Sequence, residues 1–446
     1  MGYSKAAEFV IALSYDALDE QVKQRLPLCV LDGLGAAIAG TRTPASRIAA
    51  EFVKRQFKVG PASLLHDGTG ISLTGATLAN AVTANALDAD DGYRLAKGHP
   101  GAFLIMPGLN CCQALEVSGE ELLGAIAAGY EVAMRAAVVT HDCYHHYHAS
   151  GSWGATGTTA LAGKLLGLDA RQLDWALGLA EYHAALSPIA RCLTTPAMTK
   201  DVIGWGAHAG MGAALLAQDG FTGNPSLFSD ADYREVYEDF GQRWRLLELY
   251  FKPYTCCRWA QPGVDGVIKV MAEHKLEAGD IEHIELRCFA EAAALSRQLP
   301  TNTEEAQYSI TWPPAAAAVC GTVGPEQILP PAFDNPEIRR IAQSIVITVD
   351  EQIQARFPGE CLSEVVTHTK DGHQYRSGLM PARGDADNPP TEAELREKFV
   401  GLVEPVLGRE TADELVELIK SVAAPEGPRK LWETLAPALK RDREAN

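Results

Sequence analysis

The stretch Ile281-Glu-His-Ile-Glu-Leu-Arg-Cys288 alternates apolar and polar side chains, the period of a strand with one face buried. Residues 344–349 and 364–369 do the same, and the latter run into Asp371-Gly372 and a further alternating stretch, which predicts a hairpin. Ahead of these strands, to about residue 245, the chain is rich in Ala, Gly and Leu and patterned for helices. Ser118 with Glu121 and Asp169 with Gln172 predict capping boxes there, and residues 63–74, broken at Asp67-Gly68, predict a short hairpin. Helices are expected at 262–274 and 304–321, between the strands. After the Pro/Gly/Asp-rich loop at 381–390 the pattern turns helical again, with capping boxes expected at Thr391/Glu394 and Thr411/Glu414. The expected fold is mainly α with a smaller α+β domain. A large helical domain takes residues 1–250 and 386–446 from both chain ends, and an α+β lid domain at 251–385 is inserted between them.

Composition bounds the function. The 446 residues carry a formal charge of −18, with 47% apolar and 22% charged residues, so there is ample material for a buried core. A balance this acidic argues against a general binder of nucleic acid or anionic membranes, which needs a basic surface. The start of the chain lacks the basic, apolar and small-residue pattern of a signal peptide, and the most apolar stretch, 202–217, is short and interrupted by His208 and several glycines. Ten cysteines without a Cys-x-x-Cys spacing read as reduced thiols, and the expected location is the cytoplasm.

Four stretches concentrate reactive side chains. The first, Asp88-Ala-Asp90-Asp91-Gly92-Tyr-Arg94-Leu-Ala-Lys97-Gly98-His99, crosses a loop after a helix-like run and holds three carboxylates, two cations and an imidazole. A solvated acidic loop is the plain alternative, and a magnesium site is a weak one because no phosphate-cradling glycine loop accompanies it. The second, His141-Asp-Cys143-Tyr-His145-His146-Tyr-His148, offers four histidines. Zinc ligation, with His145 and His148 on one helical face, competes with exposure at a helix end and with an acid or base role for one imidazole. In the third, Lys200 stands where a loop meets a small-residue helix, either snorkelling or binding an anion. The fourth, Lys252-Pro-Tyr-Thr-Cys256-Cys257-Arg258-Trp-Ala-Gln261, falls at the expected domain junction, where clefts form; its cysteines read as small buried residues rather than redox groups.

Taken in order, these segments resemble the MmgE/PrpD family. The likeness runs through Asp32-Gly-Leu-Gly-Ala-Ala-Ile-Ala-Gly40, the Asp88–His99 loop, Gly129-Tyr-Glu-Val132 with Arg135, and His148. It continues through Met198-Thr-Lys200, Gly220-Phe-Thr-Gly223, Ala306-Gln-Tyr-Ser309 and Phe357-Pro-Gly359. The resemblance implies a helical domain joined to an α+β lid, a homodimer, and catalysis with no metal or organic cofactor. It also implies Asp88, His99, His148 and Lys200 as the catalytic set. Three positions depart from the family pattern: Gly92 lacks a hydroxyl found in several members, Trp312 replaces a tyrosine, and Gln261 replaces a frequent histidine.

The family's reactions break a bond beside a carboxylate, so cations must hold the substrate. Arg94, Lys97, Arg191 and Arg258 are the expected carboxylate partners, with Trp312 and Gln261 also at the binding site. His148 or Lys200 is the expected base, His99 the partner acid, and Asp88 the group that orients or charges an imidazole. The leading expectation is a cofactor-independent dehydratase, a lyase acting on a small hydroxy di- or tricarboxylate. The alternatives are an epimerase of a dicarboxylate, a non-catalytic helical binding protein, and a metal-dependent hydrolase using the histidine cluster.

Overall fold

In the computed structural model, which describes residues 3–144 and 146–445, small residues become close helix contacts. The 25-residue helix Gly119–Cys143 opens with the Ser118/Glu121 capping box and runs beside helix Gly151–Leu165. They touch through glycine: a Cβ on Gly129 would fall 2.5 Å from Leu104 and 3.1 Å from the Gly157 carbonyl. The longer helix is apolar enough to cross a membrane by length and composition, but 94% of its apolar window is buried inside the fold, as in a core helix.

Two charged residues inside it, Glu131 and Arg135, are fully enclosed. Arg135 pairs with Glu131 one turn back and with Asp239 at 2.7 Å, and lies over the Phe240 ring at 4.4 Å. Glu131 also accepts from the Leu246 amide at 3.0 Å, so the pair fastens the 239–246 segment to the core.

The C-terminal helices return to the first ones. Helix Glu392–Leu407 lies along helix Glu20–Gly40, where Phe399 fills the space beside Gly35, and Trp432 donates to the Leu109 carbonyl at 3.0 Å. One core therefore joins residues from Ala6 to Phe251 with residues from Leu395 to Leu439. A second core runs from Tyr254 to Val365 and is completed by Ala36, Leu87 and Leu402 of the helical part.

The second core wraps a four-stranded mixed sheet. Strand Ile281–Cys288 pairs in parallel with Ile345–Val349 and antiparallel with Leu362–Thr369, which pairs antiparallel with Gln374–Pro381. The alternation is realised as burial of Ile281, Ile284, Leu286 and Cys288 on one face. Helix Gln261–His274 covers that face, with Gly266 against Val365.

Two expectations are corrected. The helix expected over 304–321 is two helices, Thr303–Gln307 and Trp312–Cys320. Pro313 and Pro314 fit only the first turn of the second, and the Ser309 hydroxyl accepts from the amides of Thr311 and Trp312 to start it afresh. The break leaves Tyr308 facing the cleft described below. Thr411 is not an N-cap, because helix Arg409–Lys420 begins earlier, after Gly408 at φ +81°. The capping boxes at Asp169/Gln172 and Thr391/Glu394 form as expected, and the early hairpin is a two-residue pairing of Ala62–Ser63 with Gly70–Ile71.

Removing the Arg135 guanidinium strands two carboxylates, Glu131 being fully buried. Arg135→Ala is expected to lower unfolding free energy by about 3–5 kcal/mol, read as a lower denaturant midpoint at unchanged slope.

Candidate active site

Helix Leu73–Asn85 ends in a turn whose Asp88 adopts φ +55°, and this left-handed residue aims its carboxylate into the interior. Lys97 at φ +53°, Lys200 at φ +42° and Val202 at φ +58° share that uncommon conformation. Left-handed non-glycine residues cost energy, most for a β-branched one, and persist where surrounding contacts over-determine them. Asp201 supplies such contacts: its carboxylate accepts from the Ser150 hydroxyl at 3.1 Å and from the Tyr308 phenol at 3.1 Å, and its carbonyl accepts from the Gly151 amide. The Ser150 hydroxyl also accepts from the His99 amide at 3.2 Å, so one serine ties the His99 loop to the Lys200 loop.

Asp88 is the centre of the cluster. Lys252, only 1% exposed, donates to Asp88 Oδ2 at 2.7 Å and to the Asp88 carbonyl at 2.9 Å. The other carboxylate oxygen, Oδ1, makes no hydrogen bond and is flanked by His99 Nε2 at 3.5 Å and Lys200 Nζ at 3.6 Å. Lys200 Nζ donates to Gln307 Oε1 at 2.8 Å and to the Asn85 carbonyl. His99 Nδ1 lies 3.2 Å from Asp90 Oδ2 and 3.2 Å from the Asp91 carbonyl.

The charges set the protonation states. Burial pushes the Asp88 carboxyl upward, but Lys252, Lys200 and His99 outweigh it and hold it below the usual range. Asp90 is likewise pulled down against its burial, chiefly by His99. Burial and Lys252 push His99 down, while Asp90 and Asp88 push it up; the net is a raised pKa, favouring the imidazolium. Asp91 goes the other way: burial, then the nearby Asp32, push it up to about 7, with its oxygens accepting from the Tyr130 phenol at 2.6 Å and the Gly101 amide at 2.9 Å.

A cleft opens over this cluster, with Asp88, His99, Asp201, Lys252 and Tyr308 in its wall. Arg94, Lys97 and Arg258 stand in the same wall, as expected from the sequence. Arg94 donates to Asp385 at 2.6 Å and to the Gly359 carbonyl at 2.7 Å, while Arg258 reaches the same Asp385 at 2.9 Å and lies 4.3 Å over the Tyr250 ring. Lys97 Nζ sits 3.9 Å over the Tyr147 ring, and burial holds its pKa down.

Other expected residues lie elsewhere. His148 is 4% exposed, its ring makes no hydrogen bond, and it packs edge-on to Tyr144 near His141, apart from the Asp88 ion pairs. Burial, then His146, lower its pKa, favouring the neutral imidazole. Arg191 is exposed on the short helix Ala190–Thr194, outside the cleft wall. Trp312 is buried behind the wall, its indole donating to the Gln327 carbonyl at 2.9 Å. Gln261 is buried too, and acts by accepting from Arg258 at 3.2 Å and donating to the Cys256 carbonyl at 3.1 Å. At Gly92 a side chain has no room, since a Cβ would fall within the Tyr250 ring, and the Tyr250 phenol lines the cleft instead.

The histidine stretch does not form one helical face. The helix ends at Cys143, His148 forms an isolated bridge with Pro188, and His145 lies outside the described residues. Among the described residues no group of three His, Cys, Asp or Glu side chains converges as metal ligands. Asp88, Asp90 and Asp91 each face a different partner, lysine, imidazole and phenol, rather than a shared point.

Sequence reasoning gave no role at the site to Lys252, Asp201, Tyr250, Tyr308 or Gln307, and weighed Asp90 only with its neighbouring carboxylates as a metal site. Lys252 carried one signal, a lysine at the expected domain junction.

A mainly helical body and a small mixed sheet accompany a cleft whose wall carries carboxylate, imidazole, ammonium and guanidinium groups. The chain belongs to the MmgE/PrpD family: its N-terminal domain matches residues 4–236 and its C-terminal domain residues 254–423. Cis-aconitate decarboxylase of Homo sapiens is 26% identical over 93% of this chain and 90% of its own length. Cis-aconitate decarboxylase of Aspergillus terreus is 22% identical over 93% and 92%. The cis-aconitate decarboxylase-like protein oryM of Aspergillus oryzae is 22% identical over 94% of each.

The raised His99 pKa has a measurable sign. Imidazole NMR should place its titration above the ordinary histidine value, and Asp90→Asn should move it down. Because the folded pKa is raised, His99 stabilises the fold below the ordinary value near 6.5, and that contribution is lost as pH rises through the folded pKa.

Proposed function

We propose that this protein is a cofactor-independent lyase that removes water from a small hydroxy di- or tricarboxylate, working at a carbon beside a carboxylate. The observation that carries this reading is the buried Asp88–Lys252–Lys200–His99 cluster opening on a cleft walled by Arg94, Lys97 and Arg258. In a chain of charge −18, cations gathered on one cleft select an anionic ligand. The guanidinium groups hold substrate carboxylates, and the Lys200 and Lys252 ammonium groups offset charge that develops on the carbon skeleton.

The two histidines divide the proton work. His99, favoured as imidazolium between Asp88 and Asp90, donates a proton to the leaving hydroxyl. His148, favoured as neutral imidazole with both ring nitrogens unpartnered, is the proposed base; its ring stands beside Tyr144, outside the cleft wall, and must turn toward the bound substrate to act. Lys200 already donates to Asn85 and Gln307, which suits a charge-stabilising group better than a base. Asp90, then Asp88, keep His99 charged.

The named relatives favour a second reading, decarboxylation. There His99 protonates an alkene carbon while the carbon–carboxylate bond breaks and carbon dioxide leaves. Epimerisation uses the same first proton abstraction and returns the proton to the opposite face. We place the working form as a homodimer in a reducing cytoplasm, with residues 251–385 as lid. Ten free cysteines support the compartment, and the exposed Tyr182, Trp205 and Phe221 support a second copy.

Incubation with citrate, 2-methylcitrate and cis-aconitate in deuterated buffer tests the reading. A new alkene from a hydroxy acid is the expected result, carbon dioxide release supports the second reading, and deuterium uptake with inverted configuration supports epimerisation. His99→Gln should lower kcat by about 10²–10⁴-fold. Stoichiometric zinc in active protein, lost together with activity on chelation, would overturn the cofactor-free assignment.

A further inference from the structure

The cleft is two-sided in chemistry, and the cationic side uses only part of it. Besides the cations, the wall includes Tyr147, Ile189, Leu193, Trp259, Phe357 and Pro358. A second space, a groove open to the surface, shares Tyr147, Ile189, Leu193 and Trp259 with the cleft as a common wall, and continues to Pro188, Ala190 and Ala294. His146, Thr194 and Glu291 are the other residues around it. A small polycarboxylate has no use for an aromatic and aliphatic wall, because its carboxylates lose hydration there without gaining a partner.

The two sides of the apolar wall differ in rigidity. Trp259 packs edge-on against Phe289 and Phe357, each at 6.0 Å, and these two rings stack at 4.2 Å, so that side is braced. Ile189 and Leu193 belong to the segment around helix Ala190–Thr194, which buries none of its own residues. The segment is tied to the body by the backbone bonds Ile189 to Tyr147 at 2.8 Å and Ala149 to Ser187 at 2.8 Å, and by Cys192 and Leu193 packing against the second core. Ile189 and Leu193 are half-buried and stand between the cleft and the second space, so a ligand passing from one to the other displaces these two side chains.

We infer that the substrate is amphiphilic: a di- or tricarboxylate head held by the cations, bearing an unbranched alkyl substituent that runs past Leu193 and Trp259 into the adjoining apolar space. The inference rests on the carboxylate-lyase reading for the head and adds the tail. Burying each methylene of such a tail is worth about a fourfold gain in affinity, from about 0.8 kcal/mol per methylene.

Equilibrium calorimetry with succinate, butylsuccinate and hexylsuccinate, none of which needs to react, tests the tail apart from the chemistry. The dissociation constant should fall by about threefold to fourfold per methylene along the series. Ala294→Phe, which places a ring in the second space, should flatten that dependence between butyl and hexyl. Affinity that stays level or weakens with chain length overturns the inference, and so does a gain that persists undiminished in Ala294→Phe. Chain-dependent binding without turnover of any hydroxy acid or cis-aconitate would sink the lyase reading and leave the amphiphilic site standing.

Discussion

A carboxylate buried at the meeting of the two cores governs the arrangement. Asp88 is 1% exposed, and an unpaired charge there would cost several kcal/mol. Lys252 balances it from the segment that leads into the second core, and Lys200 from the loop before helix Ile203–Gln218. Three parts of the chain, far apart in sequence, must meet for Asp88 to remain charged. The same need explains the left-handed backbone at Asp88 and Lys200, since each turn aims a charged group inward rather than along its helix. Substrate binding then meets charges already fixed in place, and little reorganisation is left for the reaction itself.

Behind that centre lies a further layer. Lys398, on the returning C-terminal helix Glu392–Leu407, donates to Asp32 at 2.5 Å and to the Ala89 carbonyl at 2.6 Å. The last part of the chain thus holds the backbone next to Asp88 and beside the reactive loop. A helix more than 300 positions downstream acts here as a brace for the loop.

Much of this was legible in the sequence because the signals were local. Alternation at 281–288 and capping boxes at Ser118, Asp169 and Thr391 depend on neighbours a few residues away, and each became the element expected. The failures came where a local rule had two solutions. Pro313-Pro314 divides one apolar run into two helices, and Gly408 starts a helix before Thr411 is able to cap it. The Asp88–His99 loop and Lys200 were findable as charged residues at helix ends. Lys252 and Asp201 matter through partners 164 and 107 positions away, and no periodicity encodes such pairings. Trp312 and Arg191 failed for the converse reason: position along the chain says nothing of which way an indole or guanidinium turns.

Arg94 and Arg258 converge on Asp385, and Arg94 also holds the Gly359 carbonyl. Arg94 belongs to the loop of the helical body, whereas Gly359 and Asp385 border the sheet on the far side of the cleft. These bonds form a clasp at the cleft, and on the proposed reading an incoming carboxylate competes with Asp385 for the same two guanidinium groups. Arrival of the ligand and release of the clasp are therefore one exchange of ion pairs. The rate at which molecules pass in and out is tied to ionic strength, independently of how fast any bond is made or broken inside.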